Sequence, residues 1–171
     1  MDARSEAQST ATKHRTTVER KSERELVVTR TINAPARIVF EAWTKPELLK
    51  RWWVPKSIGA TLLSCEADVR VGGEYKFVFG QGDSAPIAFF GKYLEVIPAE
   101  RLVWTNEESG DGAPVSTATF EEKAGKTLVT VRDLYPSKEA LDAAIASGEM
   151  LSGMGETFDQ LDELLIALGV S

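Results

Sequence analysis

The segment Ile32–Pro55, reading INAPARIVFEAWTKPELLKRWWVP, decides the fold. It describes a strand that stops at an Ala-Pro step, a short amphipathic helix, a second short helix, and a Trp-Trp-x-Pro exit. Pro35 has no backbone donor and a pre-set φ, which suits the start of a helix and disfavours helix in the residue before it. Ile38, Val39, Ala42 and Trp43 recur at helical spacing, and Lys45-Pro46 forces a break before Glu47-Leu48-Leu49 restarts. Trp52 and Trp53 carry a large apolar area on few residues, so at least one needs a deep apolar surface. The geometry is that of a helical wedge closing one end of a sheet.

On the N-terminal side, Leu26–Ile32 reads as a strand, and residues 1–23 are Ser/Thr/Ala- and charge-rich with almost no large apolar side chain. That composition predicts a disordered tail over 1–23 and a single domain over 24–171. On the C-terminal side, strands are expected over about 58–69, 75–79, 87–97, 101–105, 115–122 and 127–134. Every connection between them is of hairpin length, which argues for an antiparallel meander. The periodicity then changes. Ser137 is placed to cap a short helix to about Ala146, and Ser147-Gly148 interrupts it. A longer helix follows, with Met150, Met154, Phe158, Leu161, Leu165 and Leu168 on one stripe and Glu149, Glu156, Asp159, Gln160 and Glu163 opposite. A helix with such a stripe must bury it against the sheet. The expected architecture is α+β: a curved antiparallel sheet of about seven strands around a long C-terminal helix, with two short helices after the first strand.

Composition narrows the function. The chain has 171 residues, 43% of them hydrophobic, which is enough for a real core. It contains no apolar run of membrane-spanning length and no apolar leader at its N-terminus. Its one cysteine, Cys65, excludes an internal disulfide and fits a reducing compartment, so a soluble, cytoplasmic protein is expected. The net charge is −6, and residues 136–171 carry one lysine against seven acids. Such a surface repels phosphate backbones and anionic lipid, so neither nucleic acid nor membrane is expected as a partner.

Catalytic groupings are scarce. The only histidine, His14, lies in the expected tail, so no Ser-His or Cys-His pair can form in the fold, and no metal site or cofactor is expected. Gly80-x-Gly82 sits on a hairpin loop, where a nucleotide-binding glycine loop has no context. Glu66, Asp68, Glu95, Arg132 and Asp133 are the remaining acid/base candidates, and alternation forbids Arg132 and Asp133 from both facing inward. No residue is assigned a catalytic role. The ligand-binding candidates come from strand alternation and the two helical segments: Trp43, Trp52, Tyr75, Phe77, Phe79, Trp104, Phe120, Met150, Met154 and Phe158. One of Phe89 and Phe90 must join them.

Six motifs in order carry a family resemblance: Arg30-Thr31-Ile32-Asn33-Ala34-Pro35, Ala42-Trp43-Thr44-Lys45-Pro46-Glu47, Trp52-Trp53-x-Pro55, Asp68–Tyr75, Gly91–Pro98 and Arg101–Thr105. Over about 25–169 the chain resembles the START/Bet v allergen-like (SRPBCC) superfamily of helix-grip proteins. Within it, the chain is similar to the branch named after activators of the ninety-kilodalton heat-shock chaperone ATPase. The terminal helix departs from that branch at Gly155-Glu156, where such proteins often place a tryptophan after the glycine. The motifs are turns, wedges and core positions, so they identify a scaffold and not a reaction. The resemblance implies a hydrophobic or aromatic small molecule held between the sheet and the C-terminal helix. Two alternatives stay open: a chaperone-interaction module of the stress response, and a cyclase, aromatase or hydrolase using the same cavity. A monomer and a homodimer are both compatible with the sequence.

Overall fold

The computed structural model describes residues 16–54, 56–80, 82–83, 85–147 and 149–169. His14 and Pro55 lie outside the described residues, as do the side chains of Met150 and Met154. The chain forms an eight-stranded antiparallel sheet in the order β1-β2-β8-β7-β6-β5-β4-β3. The strands are β1 (Thr17–Arg20), β2 (Glu25–Ile32), β3 (Thr61–Ala67), β4 (Glu74–Gly80), β5 (Ile87–Ile97), β6 (Arg101–Thr105), β7 (Val115–Lys123) and β8 (Lys126–Leu134). Four helices complete it: α1 (Ala36–Thr44) and α2 (Pro46–Trp52) after β2, then α3 (Lys138–Ser147) and α4 (Glu149–Ala167). This is the expected α+β helix-grip arrangement with one strand more.

The extra strand corrects the tail boundary. Thr17–Arg20 lies within the segment read as disordered, yet it pairs antiparallel with β2 from Thr17↔Thr29 to Arg20↔Leu26. The composition there is polar because β1 is an edge strand, and a half-solvated edge needs no apolar alternation to hold it. The two short helices accordingly follow the second strand.

The wedge forms as its prolines dictate. Pro35, at φ −64 and ψ 154, is the N-cap of α1 and offers no side-chain cap. Glu122 of β7 supplies the missing acceptor, taking the Ala36 amide at 3.0 Å. Lys45 stays extended before Pro46, which occupies the first turn of α2. At the β7–β8 hairpin, Ala124 and Gly125 both adopt positive φ, 56 and 80, between the paired Lys123 and Lys126. That is the geometry a two-residue hairpin turn requires. Ser137 caps α3 as expected, accepting from the Ala140 amide at 3.1 Å.

Alternation along β2, β8 and β7 turns Val28, Ile32, Val129, Val131, Ala118 and Phe120 toward the helices, where they join Phe158, Leu161 and Leu165 of α4 in one buried cluster. A smaller cluster of Leu26, Tyr135 and Leu141 seats α3. The stripe on α4 differs from the expected one at its end. Leu164 is buried and Leu168 is about half exposed, because the helix finishes at Ala167 beyond the edge of the core.

The polar side of α4 is the larger correction. Gln160, read as solvent-facing, is buried. Its amide donates to the Trp52 and Val54 carbonyls at 2.9 Å each, and its carbonyl accepts from the Lys56 amide at 2.8 Å. It thus caps the frayed end of α2 and the start of the following turn in one stroke. Glu156 accepts from both the amide and the hydroxyl of Ser57. Arg30 of β2 is only 2% exposed and binds Asp159 at 2.8 Å and Asp162 at 2.5 Å. Burial still raises the Asp162 carboxyl above its ordinary range, in spite of the opposing pull of Arg30. These acids fasten the helix to the sheet. Charge complementarity across more than a hundred residues of chain is invisible to a helical wheel.

Candidate functional site

Two bulges, at Leu63 in β3 and Leu94 in β5, interrupt the register of the far half of the sheet. Bulges increase local twist and bend. On this half the inner face is covered by the α1–α2 wedge, and a cleft remains between them. Its walls are Tyr75 and Phe77 of β4, Phe89 and Tyr93 of β5, Leu102 and Trp104 of β6, Trp43, Leu49 and Trp53 from the wedge, and Asn106 at the end of β6. The cavity volume is about 40 Å³. The cleft is therefore narrow, room for only a few waters as it stands.

Four of the ten candidates line this cleft: Trp43, Tyr75, Phe77 and Trp104. Trp52, Phe120 and Phe158 sit one layer back. Trp52 and Phe158 stack at 6.4 Å, and Phe120 meets Trp43 edge-on at 5.7 Å. Phe79 packs edge-on against Phe89 at 4.7 Å and does not reach the cleft. Met150 and Met154 belong to the part of α4 whose side chains are not described. Among the described residues no α4 side chain lines the cleft, which lies against the wedge.

Sequence reasoning missed Leu49, Trp53, Tyr93 and Asn106. Tyr93 was legible, since it alternates with Phe89 and Gly91, and the alternation also decides for Phe89 over the outward, exposed Phe90. Trp53 and Asn106 had no such signal, because both lie just past the end of a regular element.

The polar groups are few and placed. The Tyr75 hydroxyl donates to the Thr105 carbonyl at 2.6 Å. A Cβ at position 91 would overlap that same carbonyl, so glycine there lets β5 close on β6. Burial first, then the negative charges of Glu108 and Glu107, drives the Tyr75 phenol far above its ordinary value. Trp52 donates its indole N–H to the Ala42 carbonyl at 2.9 Å, whereas the buried indole N–H of Trp43 has no partner among the described residues. The Asn106 amide donates to the Pro114 carbonyl and to the Ser116 hydroxyl, and Ser116 donates to Asp133 at 2.6 Å.

Asp133 is the one buried acid among the acid/base candidates, and burial pushes its carboxyl up to about 6 while the Ser116 bond opposes the rise. It stands behind Asn106 and Ser116 and does not line the cleft. Arg132 points outward, as alternation requires. Glu66 is exposed, and Asp68 and Glu95 form surface ion pairs with Arg70 and Arg101. Cys65 faces the core, and desolvation lifts its thiol to about 11, against the pull of Lys50. A neutral thiol of this kind is a poor nucleophile.

Known proteins extend the geometry. Residues 33–166 match the family model described as "Activator of Hsp90 ATPase homolog 1-like protein". Among solved structures, a Nitrosomonas europaea protein is 26% identical with a TM-score of 0.78, covering 89% of this chain and 100% of its own. A Rhodobacter sphaeroides protein is 24% identical with a TM-score of 0.81, over 90% of this chain and 99% of its own. An AHSA1-like protein from Aeromonas hydrophila is 19% identical with a TM-score of 0.66, over 85% of this chain and 95% of its own. At 24% and 19% identity the last two establish the fold alone. No curated protein matches the chain.

Proposed function

The chain belongs to the Activator of Hsp90 ATPase homolog 1-like family, and on that premise we propose that it binds a small apolar, aromatic-compatible molecule in the cleft between the wedge and strands β4–β6. The observation that carries this reading is the lining itself. Among the described lining residues seven are aromatic, two are leucines and one is Asn106. Ligand sites commonly combine an apolar wall with one or two placed polar groups. A packed core would leave no path to solvent, whereas Trp53 and Phe89 are only half buried and stand at the accessible side. Because the open space is narrow, binding requires Trp53 to yield. It is the wedge's least buried tryptophan, so it moves at the lowest cost.

Two acids of α4, Glu156 and Asp159, are engaged with Ser57 and Arg30. Reversing them tests helix attachment before it tests any partner. Asp133 does not line the cleft.

The test is native mass spectrometry of protein purified gently from its own host, followed by a thermal-shift screen with apolar ligands. A discrete extra mass that leaves on denaturation, or stabilisation of about 2.7 kcal/mol at a ligand concentration a hundredfold above Kd, is the expected result. An empty protein that no apolar compound stabilises would overturn the reading.

A further inference from the structure

Six aromatic side chains of the cleft form a closed circuit. Trp43 meets Trp53 at 5.7 Å between ring centroids, and Trp53 meets Phe77 at 5.8 Å. Phe77 meets Tyr75 at 5.2 Å, and Tyr75 meets Tyr93 at 5.7 Å. Tyr93 is the direct cross-strand partner of Trp104, which returns to Trp43 at 6.0 Å. All six line the same narrow space, and no charged side chain does so among the described residues. The nearest lysines on these strands, Lys76 and Lys92, alternate to the outer face of the sheet.

Two carboxylates stand near one end of this ring, Glu107 in an outer-face groove that Lys76 and Lys92 also line. Immediately past Asn106, Glu107 accepts from the Thr105 hydroxyl at 3.0 Å, and Glu108 accepts from the Phe90 amide at 3.1 Å. Both carboxylates are thus held beside the end of the cleft where Tyr75 and Asn106 stand, and their charge reaches the Tyr75 phenol. Aromatic faces carry negative potential and attract a desolvated cation within about 6 Å of the ring centroid. A ring of aromatic side chains with no charged residue among its described lining favours a cation of low hydration over an anion.

We infer that the cleft is an aromatic cage for a compact organic cation, a methylated or aryl-substituted ammonium group that enters as Trp53 yields. The inference rests on the ligand-binding reading above and narrows it to a charge class. A quaternary ammonium fits better than a primary one. It gives up little hydration on entry and needs no acceptor, and the cleft has few acceptors to offer.

Three probes of the same shape and different charge test it by calorimetric titration of the full chain: phenyltrimethylammonium, tert-butylbenzene and benzenesulfonate. The expected order places the ammonium about tenfold or more tighter than the neutral isostere, with no saturable binding of the sulfonate. Trp53→Leu, at a half-buried wall position, is expected to abolish that preference while the neutral probe still binds. Glu108→Gln keeps an acceptor for the Phe90 amide and is expected to weaken the ammonium about threefold with the neutral probe unchanged. Equal or tighter binding of tert-butylbenzene, or any saturable binding of the sulfonate, would overturn the cation preference and leave the apolar-ligand reading standing. If none of the probes binds a protein whose circular dichroism and melting are intact, the cage and the cleft reading fall together.

Discussion

On the β2–β8–β7 side of the sheet, Phe158, Leu161 and Leu165 of α4 share a buried cluster with Val28, Val129 and Val131, and Arg30 is locked between Asp159 and Asp162. On the β4–β5–β6 side, Tyr75, Phe77 and Tyr93 line a cleft with Trp43, Leu49 and Trp53, and Trp53 meets Phe77 edge-on. The first side is fastened by directional bonds to fully buried groups, which have one geometry and resist displacement. The second is held by aromatic surfaces that can slide and part without leaving a polar atom unpaired. Ring contacts dominate where the covering element is the short wedge, and buried directional bonds where it is α4 from Phe158 to Leu165.

The sharpest way to break this contrast is a pair of truncations. Phe158→Ala, on the packed side at 2% exposure, is expected to cost about 3–5 kcal/mol in urea denaturation and to leave ligand-probe affinity unchanged in whatever folded protein remains. Phe89→Ala, in the half-buried cleft wall, is expected to cost about half of that and to change affinity several-fold. If Phe158→Ala alone altered affinity, the ligand space would extend under α4 and the division drawn here would be wrong.

A second measurement probes the polar spur that runs from the cleft to the packed side through Asn106, Ser116 and Asp133. The folded-state value of Asp133, about 6, lies above its ordinary value of 3.8, so the folded protein holds this proton more tightly than the unfolded chain does. Its contribution is therefore full below about pH 4, falls as pH rises to about 6, and stays low above that. Asp133→Asn preserves an acceptor for Ser116 and removes the buried charge. The variant is expected to be more stable than the parent at pH 7.5 by up to about 2–3 kcal/mol, with the gain vanishing near pH 4. A pH-independent difference in melting temperature would show that Asp133 does not titrate in this range.

The smallest effect compares two adjacent tryptophans of the wedge. Trp52→Phe strands the Ala42 carbonyl, whereas Trp43→Phe removes an indole N–H that has no partner among the described residues. The first is expected to cost about 1–2 kcal/mol more than the second by equilibrium unfolding. Equal costs would reveal a partner for Trp43.

How much of this was readable beforehand depends on the range of the interaction. The wedge was legible because Pro35 and Pro46 act on their immediate neighbours, and Tyr75, Phe77 and Trp104 because a strand repeats every second residue. Leu63 and Leu94 gave no warning of their bulges, and Trp53 lay past the last helical position that periodicity controls. Gln160, Asp159 and Glu156 were assigned to solvent because their type and spacing fit a solvated face. Arg30 lies 129 residues from Asp159, and Gln160 lies 108 from Trp52, so each burial is decided by a partner that no local pattern contains.

The sequence by itself determined the order of seven of the eight strands and of the helices, the helix-grip family and the aromatic character of the interior, since turn chemistry and short-period alternation act within a few residues. Only the tertiary structure decided that β1 joins the sheet, that the cleft lies against the wedge, and that Asp133 is buried beside Ser116. Those outcomes depend on which surfaces meet, and a polar group is buried only where a distant partner arrives to satisfy it.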